Sequence, residues 1–334
     1  NMFGFFKGKD KKTDIVPDAN LEHLNKGFIE CQKCGKQIKL EGVPGLSVNK
    51  CPVCDTPSFI PLKIKNYWLV RPLGGGGMGS VYKALFAKNE KITLAVKVLP
   101  RNAKNDQRLI NALLNEASIG KSFGRHDHLI FLVDYGHSDD EYFSAMEFVQ
   151  GKRLDEMIEN KEITSQKMVV LWALQILSAE QRIYDSGYLY RDMKPQNIII
   201  DTNGNARLFD YGLCIKTEDA CKVQTSDIVE GSPLYMPPER IVGTPEYMNS
   251  EIYSVGMVLF NALAGKTYYS SSDAYKLAKK HVASLRIANV SSRMPGNVHP
   301  FITNVIDKMI QREQSARFQS FKEVGIALKE VYSK

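Results

Sequence analysis

From Tyr67 onward the chain alternates short apolar runs with polar breaks, and the period of each run predicts an element. In Ile92-Thr-Leu-Ala-Val-Lys-Val98 the residues Ile92, Leu94, Val96 and Val98 fall at every second position. That period predicts a strand with those four on one face and Ala95 and Lys97 on the other. Strand-like segments, LVRPL and VYKALF, flank a glycine run, which predicts a hairpin with the glycines at its turn. Between Gln107 and Lys121 the spacing becomes helical: Leu109, Leu113 and Glu116 recur on one face. A carboxylate on an apolar face needs a cation, and Lys97 is the natural partner. Tyr142–Val149 reads as a strand, Gln166–Asp185 as a core helix ending at Gly187, and Asp201–Asn205 as a hairpin turn. The longest apolar runs, VVLWALQIL and VGMVLFNALAG, are too short and too interrupted to span a bilayer.

Length and composition narrow the architecture. At 334 residues the chain suits one large two-lobed domain or two domains, and 43% apolar with 24% charged residues is ordinary for a soluble fold. Of the net charge of +7, +4 falls in the first 65 residues, where 11 Lys face 7 acids. This reads as a solvated lysine-rich tail, with attraction to an acidic partner as the other reading and no nucleic acid expected. No secretory signal pattern opens the chain, and a cytoplasmic setting is expected.

Four of the six cysteines form two pairs, Cys31-Gln-Lys-Cys34 and Cys51-Pro-Val-Cys54, with sixteen residues between them. Each C-x-x-C presents two thiolates from one knuckle, and two knuckles complete a tetrahedral S₄ shell. Two disulfides are the alternative, but the chain reads as cytosolic, where thiols stay reduced. The surrounding segment has little apolar content, so bound metal is expected to supply folding energy. Zinc is favoured over iron because the segment resembles zinc ribbons. Four protein ligands leave no open position, so the site reads as structural.

Two further stretches carry candidate chemistry. Leu73-Gly-Gly-Gly-Gly-Met-Gly-Ser-Val81 holds G-x-G-x-x-G-x-V, as Gly74, Gly76, Gly79 and Val81. Glycines there let backbone N–H groups approach phosphates. Alone the run is weak, since most such stretches are flexible turns. Tyr190-Arg-Asp-Met-Lys-Pro-Gln-Asn197 sets a carboxylate, an ammonium and a carboxamide between two apolar segments. Leu208-Phe-Asp-Tyr-Gly212 adds Asp210 beside a permissive glycine.

From about Tyr67 to Tyr332 the chain resembles a eukaryotic-like serine/threonine protein kinase of bacterial type. The motifs appear in family order: the glycine-rich loop, Ala95-Val-Lys97, Glu116, YRDMKPQN, Asp210-Tyr-Gly212 and Pro237-Pro-Glu239, with Arg317 where the family pairs an arginine with that glutamate. The resemblance implies an α+β, two-lobed protein kinase fold, with a β-rich N-lobe over residues 66–149 and a mainly helical C-lobe over residues 150–334. A zinc ribbon over residues 27–60 and a partly disordered tail over residues 1–26 would precede it. The family assigns Asp192 to accept the proton of a substrate hydroxyl and Lys194 to stabilise the transferring phosphate. Lys97, locked by Glu116, would grip the ATP phosphates, and Asn197 and Asp210 would hold Mg²⁺ or Mn²⁺. The base would lie among Leu73, Val81, Ala95, Met146 and Ile199, with backbone atoms of Glu147 and Val149 at its edge.

Four residues depart from the family pattern: Tyr190 for histidine, Tyr211 for phenylalanine, Glu251 for an aspartate anchoring the catalytic loop, and Gly120 for a large apolar residue. They bear on regulation more than on competence. Arg191 before Asp192 is a family mark of switching by phosphorylation, with Thr225 and Ser226 as candidate phosphosites, solvated loop residues being the other reading. An active kinase with serine/threonine protein substrates and autophosphorylation leads. An ATP-binding pseudokinase scaffold is the alternative. The ribbon is expected to recruit a partner or to dock on the kinase, and a homodimer follows from family analogy.

Overall fold

In a computed structural model of the protein, residues 20–76, 79–222, 230–283 and 290–330 are described. The chain divides into two compact units, Asn1–Lys121 with Phe131–Phe148 and Ser122–Ile130 with Val149–Lys334. The first unit contains α1 (Leu21–Asn25), β1 (Phe28–Glu30), β2 (Gln37–Lys39), β3 (Ser47–Lys50), β4 (Pro57–Ile60) and β5 (Leu62–Ile64). It continues with β6 (Tyr67–Gly76), β7 (Gly79–Phe86), β8 (Asn89–Val98), α2 (Gln107–Ser122), β9 (Leu132–Ser138) and β10 (Glu141–Glu147). Two small antiparallel hairpins, β1–β2 and β3–β4, precede a six-stranded antiparallel sheet in the order β5-β6-β7-β8-β10-β9.

Alternation along β6 supplies two cores from one strand. Tyr67 and Leu69 join Leu94, Val96, Val98 and Phe143 on one face of the sheet. Trp68 and Val70 face the other way, into a cluster with Leu24, Ile29, Cys31, Ile38, Cys51 and Ile60. The cysteine-rich segment therefore has apolar support that its own composition does not reveal. The expected tail also overlaps α1, whose Leu24 is buried in that cluster. In β8 the predicted alternation holds for Leu94, Val96 and Val98, whereas Ile92, at the outer end of the strand, is 41% exposed.

The second unit contains β11 (Gly151–Arg153), α3 (Leu154–Glu159), α4 (Gln166–Asp185), β12 (Tyr188–Leu189), β13 (Ile198–Asp201), β14 (Ala206–Leu208) and β15 (Ile215–Lys216). Its remaining helices are α5 (Thr217–Ala220), α6 (Pro238–Val242), α7 (Met248–Ala264), α8 (Ala274–Ala283), α9 (Pro300–Met309) and α10 (Phe321–Lys329). Helix α7 is buried from Asn249 to Ala262, as expected of a helix packed on all sides. Gly256 makes one approach possible: a Cβ there would sit 2.7 Å from Ile310 and 2.9 Å from Met309. Strands β13 and β14 form the predicted hairpin around Asp201–Asn205. No helix among the described residues is long and apolar enough to cross a membrane.

Trp68 joins strand β6 to the cysteine-rich segment both by packing and by an Nε1–H bond to Asn25 Oδ1 at 3.0 Å. Trp68→Ala is expected to lower stability in urea unfolding by about 3–5 kcal/mol, as buried aromatic truncations do. A loss below about 1 kcal/mol would show that the two share no core.

Candidate active site

In the first unit, the glycine run forms the end of the β6–β7 hairpin, in the register Gly74↔Val81, Gly75↔Ser80 and Gly76↔Gly79. Gly79 has φ +143°, and a Cβ there would meet the Val98 carbonyl at 2.8 Å, so glycine is required by both conformation and space. Leu73 is exposed just before it. Across β7 and β8 the register pairs Val81 with Lys97, and across β8 and β10 it pairs Ala95 with Met146. Lys97 and Ala95 are both buried, and Lys97 Nζ reaches Glu116 Oε2 at 2.6 Å. The helical spacing in α2 thus delivers Glu116 to the cation on β8. Glu147 clamps Phe131 twice: its N–H donates to the Phe131 carbonyl at 3.0 Å, and its carboxylate accepts the Phe131 N–H at 2.9 Å.

In the second unit, the loop after β12 holds a dense polar set. Asp192 and Asn197 are 5% and 1% exposed. Asp192 Oδ2 accepts from Lys194 Nζ at 2.6 Å and from Asn197 Nδ2 at 2.8 Å, while Oδ1 is buried with no hydrogen-bond partner among the described residues. Burial pushes the Asp192 carboxyl above the usual carboxylate range, with Lys194 pulling against it and the negative Asp210 adding to the rise. Asn197 turns its amide nitrogen to Asp192, which leaves its amide oxygen for a hard cation. The Phe209 N–H donates to the Asn197 carbonyl at 3.1 Å, tying the segment that carries Asp210 to this loop. Asp210 itself sits at φ +69°. Val149 precedes β11 and Ile199 lies on β13, each half-buried.

Both tyrosine departures find partners. Tyr190 donates its hydroxyl to the Phe209 carbonyl, and Tyr211 donates to Ile130 at 2.9 Å and Leu208 at 3.2 Å. Phe123 stacks edge-on against Tyr211 at 5.2 Å, three residues after buried Gly120. Arg317 meets Glu239 in a bidentate pair at 2.7 and 2.9 Å, completely inside the unit.

Beneath the loop lies a charged cluster of which the motifs disclose only Glu251 and Arg191. Glu251 Oε1 accepts the Arg191 N–H at 3.0 Å, so the longer side chain still reaches the loop backbone. The Arg191 guanidinium pairs with Glu246 at 2.9 Å, and Arg240 pairs with Glu246 at 2.6 Å. Glu180 of α4 is buried beside Glu251. Burial and that neighbouring charge raise Glu180 well above its ordinary range, and burial pushes Glu251 up to about 7 against the pull of Arg240. Glu180, Arg240 and Glu246 escape sequence reasoning; their one signal is charge within strongly apolar or helix-starting runs. The candidate phosphosites Thr225 and Ser226 lie outside the described residues.

The two cysteine knuckles repeat one geometry. Cys31 N–H bonds the Lys36 carbonyl and Gly35 N–H bonds the Cys31 carbonyl, each at 2.9 Å. Cys51 with Thr56 and Asp55 does the same, and Gly35 and Asp55 both have positive φ. The four Sγ atoms lie within 4.8 Å of one another, with Cys31–Cys54 and Cys34–Cys51 each at 3.6 Å. A tetrahedral ion with Zn–S near 2.3 Å requires S···S edges of about 3.8 Å, whereas a disulfide needs about 2 Å. The cysteine cluster fits a structural zinc site.

Comparison with known proteins agrees with this geometry. The protein kinase domain family model matches residues 67–326. The chain is 28% identical over 260 residues to a probable serine/threonine-protein kinase of Clostridium perfringens, covering 77% of this chain and 37% of the relative. It is 29% identical over 270 residues to the serine/threonine-protein kinase PrkC of Bacillus subtilis, covering 80% of this chain and 40% of the relative. The chain thus aligns with less than half the length of either.

Two measurements follow from the buried acids and the thiols. Because the folded pKa of Glu251 is raised, the stability linked to it is full below about pH 4.5 and is lost as pH rises through about 7. Glu251→Gln removes this dependence, so its melting temperature minus that of the parent should rise by several degrees between pH 5 and pH 8. A flat difference would show that the acid is charged throughout. Metal analysis should find about one zinc per chain, and Cys51→Ser should lose it.

Proposed function

The chain belongs to the protein kinase family, and from that premise we propose that it is an ATP-dependent serine/threonine protein kinase acting on protein hydroxyls. One observation carries the reading: Asp192 has one oxygen fixed by Lys194 and Asn197 and the other buried without a hydrogen-bond partner among the described residues. A carboxylate so held presents a single basic atom to a substrate hydroxyl. The hydroxyl proton passes to Oδ1, the hydroxyl oxygen bonds to the γ-phosphorus, and the bond from that phosphorus to ADP breaks. Lys194 sits beside the base, where its charge offsets that of the transferring phosphate.

The remaining roles divide by unit. In the first, Lys97 held by Glu116 grips phosphate oxygens, and Gly74, Gly76 and Gly79 admit phosphate to backbone N–H groups. Val81, Ala95, Met146 and Leu73 contact the base in this reading, and the Glu147 carbonyl, on a residue whose N–H is already engaged, accepts from the edge of the base. In the second, Val149 and Ile199 contribute to the base, and the Asn197 amide oxygen and Asp210 carboxylate hold magnesium. When bound, magnesium neutralises charge on the β- and γ-phosphates. The intact Lys97–Glu116 and Asp192–Asn197 pairs favour this reading over a scaffold.

Residues 27–60 form the zinc ribbon and 66–334 the kinase domain in this reading. The ribbon's apolar side is committed to β6, while Val48 and Val53 are 52% and 66% exposed and offer a surface for a partner. Two cysteine pairs spaced for zinc rather than for disulfides support a cytoplasmic, reducing setting. Homodimerisation is proposed on family analogy alone.

The test is transfer of labelled phosphate from magnesium-ATP to the protein and to a generic basic substrate. Asp192→Asn is expected to lower transfer by at least about 100-fold with ATP affinity nearly unchanged. ATP binding by both proteins with transfer by neither would move the reading to a scaffold.

A further inference from the structure

Arg191 is held at three points, and all three lead to one buried cluster. Glu251 takes its N–H, Arg240 donates to its carbonyl oxygen, and Glu246 pairs with its guanidinium at 2.9 Å. Glu246 is the centre of the set. Its Oε1 pairs with Arg191, and its Oε2 accepts from Arg240 Nε at 2.7 Å and lies 2.6 Å from the NH2 of the same guanidinium as an ion pair. The Glu246 and Arg240 side chains are 1% and 3% exposed, and that of Arg191 is 15% exposed. The carbonyl that Arg240 fixes belongs to the peptide joining Arg191 to Asp192. Arg191 adopts φ +67°, a strained conformation for a side-chain-bearing residue, so the loop relaxes unless its surroundings hold it.

We propose that Glu246 is a positioning residue: an anion built into the fold that fixes Arg191, and through it Asp192, without any phosphate on the segment between Asp210 and Glu239. The proposal rests on the kinase reading above and adds how that site is held in place without a phosphorylation switch. The charges favour it. Two arginines face the carboxylates of Glu246 and Glu251, and exposed Glu230 adds negative charge near Arg191. A phosphoryl group would bring close to two more negative charges to an arginine already compensated. To engage Arg191 it would also have to displace a buried carboxylate, which then needs another partner.

The experiment compares the phosphatase-treated full chain, its phosphate-free state checked by intact mass, with Glu246→Gln and Glu246→Asp. Initial rates are read before new phosphate appears on the protein. The phosphate-free parent should keep at least half of its untreated rate. Glu246→Gln should lose roughly 10-fold or more in kcat with KM for ATP within about 3-fold, and Glu246→Asp should recover part of the loss. A parent that falls 10-fold on dephosphorylation, or a Glu246→Gln variant as active as the parent, overturns the proposal.

If no form transfers phosphate, the kinase reading fails, and hydrogen exchange decides the positioning question separately. Residues 188–194 of the phosphate-free protein should then exchange faster in Glu246→Gln, and unchanged exchange overturns the proposal. Should Glu246→Gln fail to fold, Glu246→Asp is measured in its place: slower kcat or faster exchange supports the proposal, and parent-like values overturn it.

Discussion

A charge buried without a partner costs several kcal/mol, and the second unit is organised around avoiding that cost. Arg191, Arg240, Glu246 and Glu251 enclose one another beneath the loop that carries Asp192, and Glu239 and Arg317 form a separate enclosed pair. Because these ions are compensated by each other rather than by water, moving one strands the rest. The loop therefore inherits rigidity from the electrostatics below it. Among the described residues Asp192, like Glu180 and Glu251 near it, keeps one buried carboxylate oxygen without a hydrogen-bond partner, while its other oxygen is held by Lys194 and Asn197.

The first unit solves a different problem with the same economy of parts. A strand buried on both faces needs apolar residues of both parities, and β6 has them in Tyr67, Trp68, Leu69 and Val70. One parity builds the core of the six-stranded sheet, and the other closes the core of the cysteine-rich segment. The segment's fold thus has two supports, the four thiolates and the Trp68 face of the strand. This explains how a stretch so poor in apolar residues keeps Leu24, Ile29 and Ile60 almost fully buried.

Much of the site was legible in advance because its residues sit at short, fixed steps. The period of two in β8 put Lys97 opposite the core face, and the helical spacing in α2 put Glu116 where a cation was required; the two meet at 2.6 Å. YRDMKPQN carries Asp192, Lys194 and Asn197 within six residues, and a turn that short leaves few ways to arrange them. The paired C-x-x-C knuckles are local in the same sense. Tyr211 could be seen to need a partner for its hydroxyl, but not which carbonyl would supply it, since Ile130 lies 81 residues away.

By itself, then, the sequence determined the periodic elements, the cysteine knuckles and the spacing within each kinase-family motif, because each depends on neighbours a few residues apart. Only the tertiary structure decided that Glu246 and Arg240 lie under Arg191, at separations of 55 and 49 residues, and that Glu180 lies beside Glu251. Compensation among buried charges is set by distance in space, and no local pattern records it.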